Sequence, residues 1–235
     1  MDPYSLLFDQ QALFPATGVR LWPMLFLFVA FGVLGESGAS LRAAEPLALA
    51  GLVQETTAAF SAEALRGWTV VDGNWEPSPI AEQGSNGWIV VQKAVQNPFN
   101  VLVMPGPAYA DVDVSVRFKP LSGQEDASGG IVFRFDRGSY YVIRANALED
   151  NFRLYSFDGS RHQLASAHVV PPSLGAWHDL RVIAVGERIQ GYLDGRLVLD
   201  AHDGQFKAGR VGLWTKADSV TAFQALRLRG VVASN

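Results

Sequence analysis

The feature that most narrows what this chain can fold into is a parity signal between Gly129 and Phe157. Ile131, Phe133 and Phe135 alternate with Val132 and Arg134. After an Asp136-Arg137-Gly138 turn, Tyr141, Ile143, Ala145 and Ala147 alternate with Tyr140, Val142, Arg144 and Asn146. Beyond Glu149-Asp150, Phe152 and Leu154 alternate with Arg153, Tyr155 and Phe157. Side chains repeating every two residues lie on opposite faces of a strand. The stretch therefore predicts three antiparallel strands with one face in a core. The other face collects Arg134, Tyr140, Arg144, Asn146, Arg153 and Tyr155, a polar and aromatic platform suited to a sugar. The competing reading is a plain solvent face covered by long side-chain stems.

The same texture extends in both directions. Residues 67–71, a short strand from Trp75, 87–92, 100–104 and the cleanly alternating 111–119 read as strands, with Val112, Val114, Val116 and Phe118 facing in. Asp158-Gly159, Gly186-Glu187-Arg188 and Asp194-Gly195 read as turns between further strands. In the last strand, Phe223 and Leu226 are out of step, which predicts a bulge. Strands spaced by roughly ten residues, with no helical segment between them, predict an all-β, antiparallel two-sheet sandwich over residues 67–235. Residues 45–66 read as an approach segment in which 54–65 has helical propensity and Phe60 starts an edge strand.

The chain has 235 residues, 49% of them hydrophobic, a formal charge of -4 and no cysteine. It can bury one sizeable core. The acidic balance argues against nucleic acid as a partner, and the missing thiols exclude disulfides and thiolate metal sites. Leu21 to Leu34 is an apolar run preceded by Arg20 and followed by small residues, the layout of a secretory signal peptide. It is shorter than a bilayer span. The expectation is a signal and processed segment over residues 1–44, export to the periplasm or the extracellular space, and no stable membrane span afterwards. Asp2 and Asp9 sit where such a leader usually carries base.

Seven stretches, GWTVVDGNW, DVDVSVRFK, GGIVFRF, YYVIRANALEDNFRLY, WHDLRV, GYLDGRLVLD and GRVGLWTKADSVTAF, follow in this order between Gly67 and Gly230. Together they resemble the concanavalin-A-like jelly-roll superfamily, and within it the laminin-G-like branch grouped with the 3-keto-disaccharide hydrolase domain. The resemblance implies two curved antiparallel sheets whose concave face holds a carbohydrate. It leaves activity open, because the superfamily includes lectins, glycanases and inert modules. The Glu-x-Asp-x-Glu strand of glycoside hydrolase family 16 is absent, so paired-carboxylate retaining hydrolysis is not expected.

A 3-keto sugar offers another route, since its ketone acidifies the C2 proton and permits elimination of the glycosidic oxygen. One base then suffices, with a cation or donors to hold the enolate. Glu149, Asp150 or a histidine can be that base, and Arg134, Arg144 or a divalent metal the enolate partner. The alternative for Glu149-Asp150-Asn151 is a turn that caps itself through side-chain hydrogen bonds. Trp214, Lys216 and Asp218 form a second candidate cluster, with Trp214 opposite the core set or else packed under the following loop. His162, His168, His178 and His202 show no metal-ligand spacing, and no cofactor motif is present. The three readings of function are a saccharide-directed hydrolase or lyase, a non-catalytic carbohydrate-binding or adhesion module, and a structural spacer with no small ligand.

Overall fold

The structure is a computed structural model that describes residues 45–80, 87–95 and 97–234; the expected leader and processed segment lie outside them. The chain runs β1 (Val53–Thr57), a single helical turn α1 (Ala62–Leu65), β2 (Thr69–Asp72), β3 (Trp75–Pro79), β4 (Trp88–Gln92) and β5 (Asn97–Val103). It continues through β6 (Tyr109–Ser122), β7 (Ser128–Asp136), β8 (Ser139–Asn146), β9 (Asn151–Phe157) and β10 (Arg161–His168). The last five strands are β11 (His178–Val185), β12 (Arg188–Leu193), β13 (Arg196–His202), β14 (Arg210–Ala217) and β15 (Val220–Val232). Among the described residues no helix is long and apolar enough to cross a membrane.

The strands form the expected two-sheet sandwich. One sheet has the order β13-β12-β11-β6-β15-β4-β3, with β1 also paired to β15. The other has the order β10-β9-β8-β7-β14-β5-β2, and its pairings and those of its partner sheet are all antiparallel. Alternation places Val112, Val114, Val116 and Phe118 of β6 and Leu180 and Val182 of β11 on one wall of the main core. Ile131, Phe133, Tyr141, Ile143, Phe152, Leu154, Val211 and Leu213 form the other. Gly191 sits where the walls pack tightly, because a Cβ there would run into the Ile143 and Phe152 side chains.

Two local outcomes differ from the alternation pattern. The strand β1 on β15 takes in Gln54 to Thr57 of the stretch with helical propensity, and only Ala62–Leu65 is helical. Its β-branched Val53, Thr56 and Thr57 suit the pleated edge better than a helix. In β7 an extra residue interrupts the alternation: Arg134 has φ 51, and the pairing with β8 shifts between Phe133 and Asp136. Phe135 thereby changes face and joins Val132 rather than Phe133. The bulge expected in the last strand is present, with a register shift between Gln224 and Arg227 and Ala225 at φ 52.

Candidate functional site

The seven-stranded sheet turns its outer face away from the main core, and that face divides into an aromatic middle and a polar end. In the middle, Val101, Val103, Val132, Phe135, Tyr140, Val142, Tyr155 and Trp214 make a second buried cluster. Phe99 of β5 and Phe157 of β9 touch edge to face at 5.6 Å, although β14, β7 and β8 lie between their strands. Four inter-strand spacings would hold them about 19 Å apart on a flat sheet, so the sheet is curled and the face is concave. Phe99 also stacks on Trp214 at 5.7 Å, and Phe157 on Tyr140 at 5.0 Å. The Arg161 guanidinium covers the Phe99 and Tyr155 rings at 5.3 and 4.6 Å. The hollow is filled by its own rings. Gly130 lies under this layer, where a Cβ would come within 3.2 Å of the Trp214 ring.

At the polar end, the turn between β8 and β9 brings two guanidinium groups onto one carboxylate. Arg144 and Arg153 are cross-strand partners. The Arg144 Nη2 lies 2.7 Å from Glu149 Oε2, and Arg153 Nη1 lies 3.8 Å from the same oxygen. Arg144 also donates to the Asn151 carbonyl at 3.2 Å, and Arg153 donates to the Tyr155 hydroxyl at 3.1 Å. Burial pushes the Glu149 carboxyl up, but the hydrogen bond and charge of Arg144, with Asn151 and Arg153 beside it, outweigh that and hold it below the usual range. Behind this group Asp126, buried, accepts from the Ser219 hydroxyl at 3.0 Å and lies 3.4 Å from Lys216 Nζ.

Buried polar groups in folded proteins are nearly always paired. Here four side-chain atoms are buried without a hydrogen-bond partner among the described residues: Asn146 Nδ2, Asn151 Oδ1, Arg153 Nε and Trp214 Nε1. All four belong to the concave face by strand register, three of them at its polar end. Glu149 and Arg153 keep about a third of their side chains exposed, at 35% and 30%. A molecule arriving at this end thus meets a carboxylate and a guanidinium together.

The sequence-predicted residues separate accordingly. Arg144, Asn146, Glu149, Arg153 and Tyr155 come together at the polar end, with Lys216 on the same face two strands away. Arg134 does not join them. The bulge turns it into the opposite end of the sandwich, where it is 1% exposed and spends its donors on the carbonyls of Ala110, Gly186 and Phe206. Trp214 lies on the expected face, but at 1% exposure with Phe99 stacked on it the indole cannot receive a sugar ring. Tyr140 is likewise covered, and burial pushes its phenol up to about 12, so it stays protonated and is no base. Asp218 caps the loop before β7, accepting the backbone N–H groups of Gln124, Glu125 and Asp126 at 2.6, 3.1 and 2.9 Å, which commits its carboxylate to that loop.

Asp150 is exposed and its carboxylate lies 3.2 Å from His168 Nδ1. Asn146 caps the turn, its Oδ1 accepting from the N–H groups of Leu148 and Ala127, and within the turn the Glu149 carboxylate is hydrogen-bonded to the Asn151 side chain. Among the described residues no group of three or more His, Asp or Glu side chains is arranged to hold a metal ion. Asp126 was not foreseen, since it lies in a Gly-rich loop with no periodicity to orient it. Nor was the closure of the hollow by Phe99, Phe157 and Arg161, which depends on the curl of the sheet.

A family described as the 3-keto-alpha-glucoside-1,2-lyase-like domain matches residues 55–229. The chain belongs to this family. Its match begins within β1 and ends within β15, so the lyase-like domain takes in nearly the whole sandwich. A levanase of Bacillus subtilis is 26% identical over 166 residues, which is 68% of this chain but only 22% of the levanase. The carbohydrate binding module CBM66 of Bacillus subtilis superposes with a TM-score of 0.59 at 25% identity, covering 68% of this chain and 94% of the module. A Bacillus subtilis protein of unknown function with a galectin-like fold gives 0.57 at 13% identity, covering 78% and 100%, and shares the fold alone. This lyase-like domain is thus similar to a part of a levanase and to a carbohydrate binding module.

Proposed function

We propose that the polar end of the concave face, built from Arg144, Asn146, Glu149, Asn151, Arg153 and Tyr155, holds a saccharide. The observation that carries this reading is the concentration there of three buried, unpartnered polar atoms beside a part-exposed carboxylate and guanidinium. A sugar hydroxyl both donates and accepts, so neighbouring hydroxyls can meet Glu149 and Arg153 at once. Binding rather than bond cleavage is the better supported reading, because a carboxyl held below its usual range is a weak proton acceptor at neutral pH. The likeness to CBM66 supports the same choice.

The family match supports a second reading, elimination from a 3-keto glycoside. The C2 proton would pass to Glu149, the electron pair would form the C1–C2 double bond, and the glycosidic oxygen would leave, taking up a proton. Arg144 and Arg153 would steady the enolate. Titration calorimetry with glucose, fructose, sucrose and a 3-keto disaccharide, with product analysis of the last, separates the two. Binding without product, lost at least tenfold in Arg153→Ala and Glu149→Gln, is the expected result. Product formed by the parent chain and abolished in Glu149→Gln would establish the lyase. No binding of any of the four, and no product, would overturn both.

The apolar run at residues 21–34 supports export of the domain. Cell fractionation of the full chain tests it, and recovery of uncleaved protein in the cytoplasm alone would refute it.

A further inference from the structure

At the same end of the sandwich a cavity of about 480 Å³ opens between the edge strands of the two sheets. It is lined by His168, Val169 and Val170 after β10 and by Leu193, Asp194, Arg196, Leu197 and Val198 around the β12–β13 turn. Five of these eight residues, Val169, Val170, Leu193, Leu197 and Val198, are aliphatic, and no Phe, Tyr or Trp is among them, so a sugar finds no broad ring to stack on there, whereas hydrocarbon gains by leaving water. Val170 and Leu197 nevertheless stay open, at 84% and 36% exposure. The volume lies within the range of small-molecule sites. Its acid is already engaged: Asp194 Oδ2 is 2.9 Å from His178 Nδ1, and Oδ1 accepts the Asp179 N–H at 2.8 Å.

The cavity lies next to the polar end described above, at the shared end of β9 and β10. His168 stands directly opposite Asn151 in the β9–β10 pairing. Its Nδ1 lies 3.2 Å from Asp150 Oδ2, and the Val169 N–H donates to the Asp150 carbonyl at 2.9 Å. A group leaving the Glu149–Arg153 site along β10 passes His168 and reaches Val169 and Val170. We propose that this cavity receives the apolar aglycone of a glycoside whose sugar sits at the polar end, which makes alkyl or aryl glycosides the ligand class; the proposal rests on the saccharide reading.

The test is calorimetric titration of the full chain with methyl and octyl α-glucoside, methyl and octyl fructoside, and 1-octanol, all below micelle-forming concentrations. The octyl member of at least one pair binds at least about tenfold tighter than its methyl partner, as burial of several methylene groups requires. Val170→Asp and Leu197→Asp, both at exposed positions that the fold tolerates, remove that gain and leave any methyl-glycoside affinity within twofold. Equal affinity within both pairs overturns the proposal while methyl-glycoside binding keeps the saccharide reading. An octyl gain untouched by both substitutions, or octanol binding as tightly as the octyl glycosides, also overturns it. Silence from all five probes overturns the cavity proposal and counts against the saccharide site as well.

Discussion

Two buried arginines at opposite ends of one sheet show how differently the same side chain can be used. Arg134 donates to three backbone carbonyls, at 3.0 and 2.8 Å to Ala110, 2.7 Å to Gly186 and 3.0 Å to Phe206, with Asp111 3.8 Å away. It ties the start of β6, the β11–β12 turn and the segment before β14 into one end of the sandwich. Arg144 instead reaches a part-exposed carboxylate and has unpartnered polar atoms around it. A guanidinium saturated by main chain is a structural tie, while one shared with movable side chains can exchange partners with a ligand. The largest expected effect follows. Arg134→Met takes the buried donor away from three part-buried carbonyl oxygens and costs about 3–5 kcal/mol, read as a fall in the urea midpoint. A shift below 1 kcal/mol would erase the contrast.

The aromatic middle lies between these ends and sharpens the comparison next. Phe99→Ala removes the ring that stacks on Trp214 and meets Phe157 across the hollow. Truncating a large, mostly packed ring costs about 2–3 kcal/mol, less than a fully buried one because Phe99 is only half-buried. Urea unfolding measures the loss, and N-bromosuccinimide reaction of the Trp214 indole should rise with it. Saccharide affinity at the polar end should remain within twofold. If it collapsed together with stability, the middle and the end would be one site rather than two.

The sandwich itself was legible because period-two alternation needs no knowledge of distant partners. Trp214 opposite Leu213, and Tyr140 opposite Tyr141, were placed on the right faces for that reason. The β15 bulge was legible too, since Phe223 and Leu226 broke step visibly. The β7 bulge was not. An arginine at positive φ carries no glycine or asparagine to announce it, and Phe135 is apolar enough to suit either face. Alternation says which face a residue takes and nothing about how far the face curves, so an open platform was expected where Phe99 and Phe157 close the hollow. The Arg144–Glu149–Arg153 group was half legible: the parity gathered the arginines, but only the turn geometry brought Glu149 onto them.

Arg153→Ala tests the converse of the Arg134 claim. Its guanidinium is part-exposed and its contact with Glu149 is long, so exposed-pair energetics apply and stability should move by no more than about 1 kcal/mol. Saccharide affinity should fall at least tenfold. A large unfolding shift with unchanged binding would reverse the assignment of the two ends, making the β8–β9 corner the tie and leaving no side chain there free for ligand.

The smallest effect is a pH dependence centred on Glu149. Burial raises its carboxyl pKa, but Arg144 first, then Asn151 and Arg153, lower it further, so the folded value lies below the unfolded one. Stability linked to a depressed carboxylate is fully present above the unfolded value, about 4.3, and is lost as pH falls through the folded value. The parent chain should therefore lose stability more steeply than Glu149→Gln below roughly pH 4, and the two should run parallel between pH 6 and 8. Unfolding midpoints measured from about pH 8 down to about pH 3 supply the check. Parallel curves down to pH 3 would mean that the arginines do not hold Glu149 as a charged partner, and would remove the electrostatic basis for a site that meets a sugar with acceptor and donor side by side.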